Sequence, residues 1–263
     1  MTKSMQRLKD KLSPFIPKPL HFIYRCLHKP VETLSLIDFL MERQTGLSFI
    51  QRLQFIKKIC LISTYVECAH THAEILIFIK SIFSIPPEVQ GCLIEAGCYK
   101  GGGTAKLSLV AKITDRKLFV FDSFQGIPKH NESHTSNIFG AEAEFPEGSW
   151  RGGLPEVQEA VAKYGEPSVV EYRRGWFEDT MPEFKEKAAA VFLDVDLASS
   201  TRTCLRYLYP LLSSKGVLFS HDGHLPLVIK VYGDNAFWEK EIGCLKPEIT
   251  GLGIRKLISL RKP

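Results

Sequence analysis

The chain has 263 residues, 44% hydrophobic and 24% charged, with a net charge of +5 at neutral pH. That composition excludes a fibre and an intrinsically disordered chain, and the length allows one large α/β domain or a domain with a helical extension. Its basic excess is scattered over both ends (Lys3, Arg7, Lys9, Lys11 and Arg255, Lys256, Arg261, Lys262) rather than gathered in a run, so nucleic acid is not an expected partner.

Seven cysteines, an odd number without CxxC spacing, several of them inside apolar runs, fit thiols kept reduced in the cytoplasm. The first twenty residues mix charge, proline and aromatics and carry no continuous apolar core of the kind a secretory signal needs. Segment 12–31, with Phe15, Lys18, Phe22, Tyr24, Arg25 and Lys29, has the basic and aromatic side chains of a peripheral contact with an acidic membrane surface, with packing or a dimer contact as the alternative. Apolar spacing near three and four then predicts helices over 34–43, 47–64 and 70–83, so residues 1–90 read as a helical N-terminal extension, a lid or a dimer contact in a homo-oligomer. The apolar stretch 73–86 is broken by Lys80 and is too short to span a bilayer.

From Gly91 the pattern becomes short strands alternating with helices, the signature of a mostly parallel sheet covered on both faces, and residues 91–263 read as one ligand-binding domain. Strands are expected near 92–96, 117–122, 168–173, 189–194, 216–221 and 254–261, the last alternating apolar and polar as an antiparallel edge strand does. Helices are expected to start near Gly103, Pro155, Ser199 and Leu225. The polar, glycine-rich stretch 126–153, with His130, His134 and Trp150, is long enough to be a lid.

The chemistry begins where Leu93-Ile94-Glu95-Ala96 breaks into Gly97-Cys98-Tyr99-Lys100-Gly101-Gly102-Gly103, a strand, tight loop and helix that open backbone N–H groups to a nucleotide-type ligand. Asp122 closes the next strand about 20 residues on, where a βαβ unit places the acid that grips ribose hydroxyls. The spacing departs from the Gly-x-Gly-x-x-Gly of a dinucleotide site, and Glu95 would repel a pyrophosphate but suits an amino-acid tail, or is satisfied by its own loop. Asp194 and Asp222 close two further strands and should face one crevice, a carboxylate pair suited to Mg²⁺ unless each only caps a helix or turn. Asp196 reads as a helix cap. His221 is the better general base or ligand of the two histidines around Asp222, and His224 reads as a polar loop residue.

Four motifs in order, Glu95-Ala-Gly-Cys-Tyr-Lys-Gly-Gly, Phe121-Asp-Ser-Phe-Gln-Gly-Ile-Pro128, Gly175-Trp-Phe-Glu-Asp-Thr-Met-Pro182 and Leu193-Asp-Val-Asp-Leu followed by His221-Asp222, resemble the macrocin O-methyltransferase (TylF) family over residues 90–245. The resemblance implies a class I, Rossmann-like S-adenosylmethionine-dependent fold that methylates a hydroxyl of a sugar or glycosylated small molecule with Mg²⁺. It implies that Glu95, Gly97 and Gly101 line the methionine side, that Asp122 holds the ribose, that Ser123 and Trp176 lie near the adenine, and that Asp194, His221 and Asp222 hold the metal. Asp194 or His221 would take the proton. The chain departs from the family in having His221-Asp222 for two adjacent aspartates and Ala198-Ser199 for an aromatic-acidic pair, and Leu197 stands where catechol-type enzymes carry a lysine. The competing readings are a nicotinamide-dependent oxidoreductase, since Asp122 serves an NAD ribose equally well, and a non-catalytic member with a degenerate metal site.

Overall fold

In a computed structural model, residues 30–263 are described; the basic, aromatic segment up to residue 29 lies outside them. Three helices come first, α1 (Pro30–Met41), α2 (Phe49–Tyr65) and α3 (His72–Phe83). Capping boxes start two of them, Ser48 with Gln51 and Thr71 with Glu74, each pair satisfying two orphan N–H groups reciprocally. Then follow β1 (Cys92–Ala96), α4 (Gly102–Ile113), β2 (Leu118–Asp122), α5 (Leu154–Tyr164), β3 (Val170–Arg174), a short α6 (Phe177–Thr180), β4 (Ala188–Leu193), α7 (Ala198–Leu208), β5 (Leu212–Ser220), α8 (Pro226–Gly233) and β6 (Ile258–Arg261).

The six strands form one sheet in the order β3-β2-β1-β4-β5-β6, parallel throughout except for the antiparallel β5–β6 pair. β1 and β4 are buried along their whole length because helices cover both faces, which is why they read as unbroken apolar runs. Side-chain alternation divides the core. Leu93, Leu118, Val120, Phe192 and Phe219 join the first three helices, α4 and α5, while Ile94, Phe121, Val191 and Leu218 join α7, α8 and the turn around Trp238. The N-terminal helices pack directly on the sheet: the Phe78 ring lies 5.1 Å from both Phe192 and Phe219. Among the described residues no helix is long and apolar enough to cross a membrane.

Two boundaries differ from expectation for local reasons. β5 begins at Leu212, four residues before its apolar run, because Leu212 pairs with Ala188 and Lys215 takes a left-handed φ of 65° where the register shifts. A polar Ser-Ser-Lys-Gly stretch that reads as a turn is thus a bulged strand. β6 begins at Ile258, because the turn at Gly251 and Gly253 occupies the residues before it and Thr250 bridges back to Ser259.

Candidate active site

Strand order reverses between β1 and β4, and the crevice beyond the carboxyl ends at such a point is where an open α/β sheet binds ligands. A cavity of 690 Å³ lies there. Gly97, Asp122, Ser123, Trp176, Asp194, His221 and Asp222 all face it, each at or just after the end of a strand. Gly97 has φ 82°, and a Cβ there would overlap the carbonyl oxygen of Asp194, so the loop after β1 crosses against β4 only as glycine. Asp122 accepts the Cys98 N–H at 2.8 Å through Oδ2 and the Phe124 N–H at 2.6 Å through Oδ1, fixing the carboxylate at the cavity edge. The Ser123 hydroxyl accepts the Gln125 N–H at 3.0 Å.

Two expected residues are not among those lining the main cavity. Glu95 points from β1 to the α4 side, where its Oε2 accepts the Thr104 hydroxyl at 2.6 Å, and it faces a pinch of 10 Å³ with Cys68 and His70 rather than the main cavity. That space is about one water molecule in size. Burial pushes the Glu95 carboxyl up to about 8, so it is largely neutral at pH 7. Gly101, at φ 81°, caps the start of α4, where a Cβ would press on Val157 of α5.

The metal-type cluster also differs from the expected set. One carboxylate oxygen from each of Asp194, Asp196 and Asp222 lies within 4.8 Å of the others, with Asp196 in place of His221. Asp196, two residues after Asp194, reaches it from the turn after β4, where its backbone is left-handed, φ 60°. It caps nothing: the start of α7 has no side-chain cap of its own. Asp222 Oδ2 accepts the Val195 and Asp196 N–H groups at 3.0 and 3.1 Å, tying the turn after β4 to the end of β5. Burial, then Asp194, pushes Asp222 up to about 7, and burial, then Asp222, raises Asp196 well above the usual carboxylate range. Three mutually repelling carboxylates with this spacing, Asp222 buried and Asp194 and Asp196 half-buried, fit a divalent cation, which relieves both costs.

His221 is buried and held between acids. Its Nδ1 lies 3.1 Å from Asp194 Oδ1 and its Nε2 3.3 Å from Glu74 Oε2 on α3. Burial opposes its charge, but Asp194 and then Glu74 outweigh that and push the imidazole up to about 10. Held between these two acids, His221 is placed to brace Asp194, and the three-carboxylate cluster forms without it. His224 is pushed down to about 4, chiefly by burial, and stacks on Phe139 of the lid.

Asp196, Glu74 and Glu132 were not singled out for the site from sequence. The signal for Asp196 was the Asp-x-Asp spacing; for Glu74, only its capping box with Thr71. Glu132 sits in the lid, whose ends are pinned where Ile127 N–H donates to Ser149 O and Gly148 N–H to Ile127 O, both at 2.9 Å. Tyr99, Trp150 and Asp196, three non-glycine residues with left-handed backbones, all line the cavity. Such conformations gather where a site must be shaped.

A sequence model of the macrocin O-methyltransferase (TylF) family matches residues 79–230. The chain is 31% identical over 147 residues to mycinamicin III 3''-O-methyltransferase of Micromonospora griseorubida, covering 52% of this chain and 57% of that protein. It is 32% identical over 141 residues to 8-demethyl-8-(2,3-dimethoxy-alpha-L-rhamnosyl)-tetracenomycin-C 4'-O-methyltransferase of Streptomyces olivaceus, covering 51% and 53%. The chain thus spans about half the length of the curated relatives it matches. Among solved structures, the O-methyltransferase NovP superposes with a TM-score of 0.64 at 21% identity, over 80% of this chain and 98% of that one. The calicheamicin methyltransferase CalS11 superposes with a TM-score of 0.55 at 17% identity, over 80% and 92%. Both show the fold.

Proposed function

The chain belongs to the macrocin O-methyltransferase (TylF) family, and from that premise we propose that it is an S-adenosylmethionine-dependent O-methyltransferase acting on a hydroxyl of a sugar or glycosylated small molecule. The observation that carries the reading is the shared cavity: Asp122 at the end of β2 and the Asp194, Asp196, Asp222 cluster after β4 and β5 all line it. When bound, S-adenosylmethionine supplies an electrophilic methyl group, and a divalent cation, Mg²⁺ by the all-oxygen donor set, supplies charge that acidifies a hydroxyl. Asp122 binds the ribose hydroxyls, with Ser123 and Trp176 beside the adenine and the Gly97 turn open toward the methionine part. Asp194, Asp196 and Asp222 hold the cation. Asp194, whose carboxylate is also bonded to His221, would accept the proton of the acceptor hydroxyl. His221 and Glu74 keep that carboxylate in place, and alignment of acceptor with methyl supplies much of the rate. The lid excludes water.

The test is methyl transfer from labelled cofactor to a panel of deoxysugar glycosides and glycans, read by mass spectrometry with and without EDTA. The expected result is a product in at least one case, lost with EDTA and with Asp194→Ala. Cofactor binding with no acceptor methylated, and no effect of Asp194→Ala or Asp222→Ala, would contradict the enzyme and support a binding-only member.

A further inference from the structure

We propose that Glu132 is a positioning residue that latches the lid onto the first turn of α7 and so fixes the acceptor wall of the cavity relative to Asp194 and Asp196. The start of α7 leaves N–H groups without intrahelical partners. Leu197 stands at the cap position with no side-chain acceptor, and the first turn contains no acid. Glu132, 66 and 67 residues away in sequence, fills that place from the lid: Oε2 accepts the Ala198 N–H and Oε1 the Ser199 N–H, both at 2.8 Å. A carboxylate spanning two N–H groups at the positive end of a helix is a strong cap, and here the cap and the helix belong to different elements.

A second contact holds the latch in position. His134 Nε2 lies 2.9 Å from Glu132 Oε2, and the ring, 2% exposed, meets Phe145 edge-on at 5.0 Å. His130 Nε2 in turn lies 2.8 Å from the carbonyl oxygen of Phe145, and the Ile138 N–H donates to the His224 carbonyl at 3.0 Å. The helix end that Glu132 grips is continuous with the turn carrying Asp196, closed by the Leu197 N–H to Val195 O bond at 2.6 Å. Lid position and cluster geometry are therefore one mechanical unit. The effect on acceptor binding presupposes the methyltransferase reading, whereas the latch does not.

Hydrogen–deuterium exchange and limited trypsin digestion of the full chain, with Glu132→Ala and Glu132→Gln, test it. Trypsin has exposed sites at Lys129 and Arg151, inside the lid and flanking its 130–150 stretch. For Glu132→Ala, exchange in 129–150 and at 198–202 and cleavage at the two flanking sites should accelerate on the order of tenfold, the scale of a lost cap. Exchange in α4 and α2 should stay as in the parent, which a general loss of stability would not allow. Glu132→Gln, retaining one acceptor oxygen, should fall between. Parent-like exchange at both segments in Glu132→Ala overturns the proposal, as does uniform loosening of the whole chain in both variants. Binding of S-adenosylhomocysteine to the parent and both variants is measured alongside: its absence in the parent counts against the methyltransferase reading alone, and affinity within a few-fold in the variants with a loosened lid supports the latch.

Discussion

Replacing Asp194 with asparagine keeps the shape of the side chain and removes the charge that the proposed reaction would use for both the cation and the acceptor proton. Methyl transfer should fall by about 10²–10⁴, with S-adenosylhomocysteine affinity changed only a few-fold in calorimetry. Asp196→Asn tests the cation instead: added Mg²⁺ should raise the parent's thermal midpoint by about 2–4 °C per kcal/mol of binding energy and leave the variant's nearly unmoved. His221 makes a pH prediction. Its folded pKa of about 10 lies above the ordinary value of 6.5, so its stabilisation is complete below pH 6.5 and disappears as pH rises through 10. Urea midpoints measured in EDTA from pH 7 to 10.5 should therefore fall more steeply for the parent than for His221→Asn; parallel curves would contradict a charged His221. Asp122, Asp194 and Asp222 were legible in sequence because each ends an apolar strand. Asp196 was not, since an acid just before a helix reads as its cap, and the clamp on His221 was not, since Glu74 lies far away in sequence on α3.

At the scale of elements, the sheet and its helices were readable because burial on both faces leaves unbroken apolar runs and glycine or proline punctuates them. The bulge at Lys215 escaped because its polar residues have turn composition while their backbone continues the pairing with β4. The lid was recognisable by length, but its attachment to α7 depends on two hydrogen bonds from Glu132 that no local pattern encodes. Helix α3 ties the N-terminal layer to the sheet, and Phe78 is its principal wedge between Phe192 and Phe219. Phe78→Ala should cost about 3–5 kcal/mol in urea unfolding. Because Glu74 sits one turn earlier on the same helix, the variant should also weaken the bracing of His221. A loss below about 1 kcal/mol would place the N-terminal helices outside the cooperative unit.

For the whole molecule, one six-stranded sheet brings Asp122 and the carboxylate cluster to a single cavity, with Glu74 of the N-terminal helices bracing it through His221 and segment 126–153 supplying part of its wall. The fold alone suits any adenosine cofactor, since the ribose-binding role proposed for Asp122 would serve S-adenosylmethionine and NAD alike. The turn after β1, with its departure from dinucleotide spacing, is what separates them. Calorimetric titration of the full chain with S-adenosylhomocysteine and, separately, NADH tests this most directly. Saturable binding of S-adenosylhomocysteine, lost in Asp122→Ala, with no heat from NADH, is the predicted result; saturable binding of NADH without S-adenosylhomocysteine would contradict it.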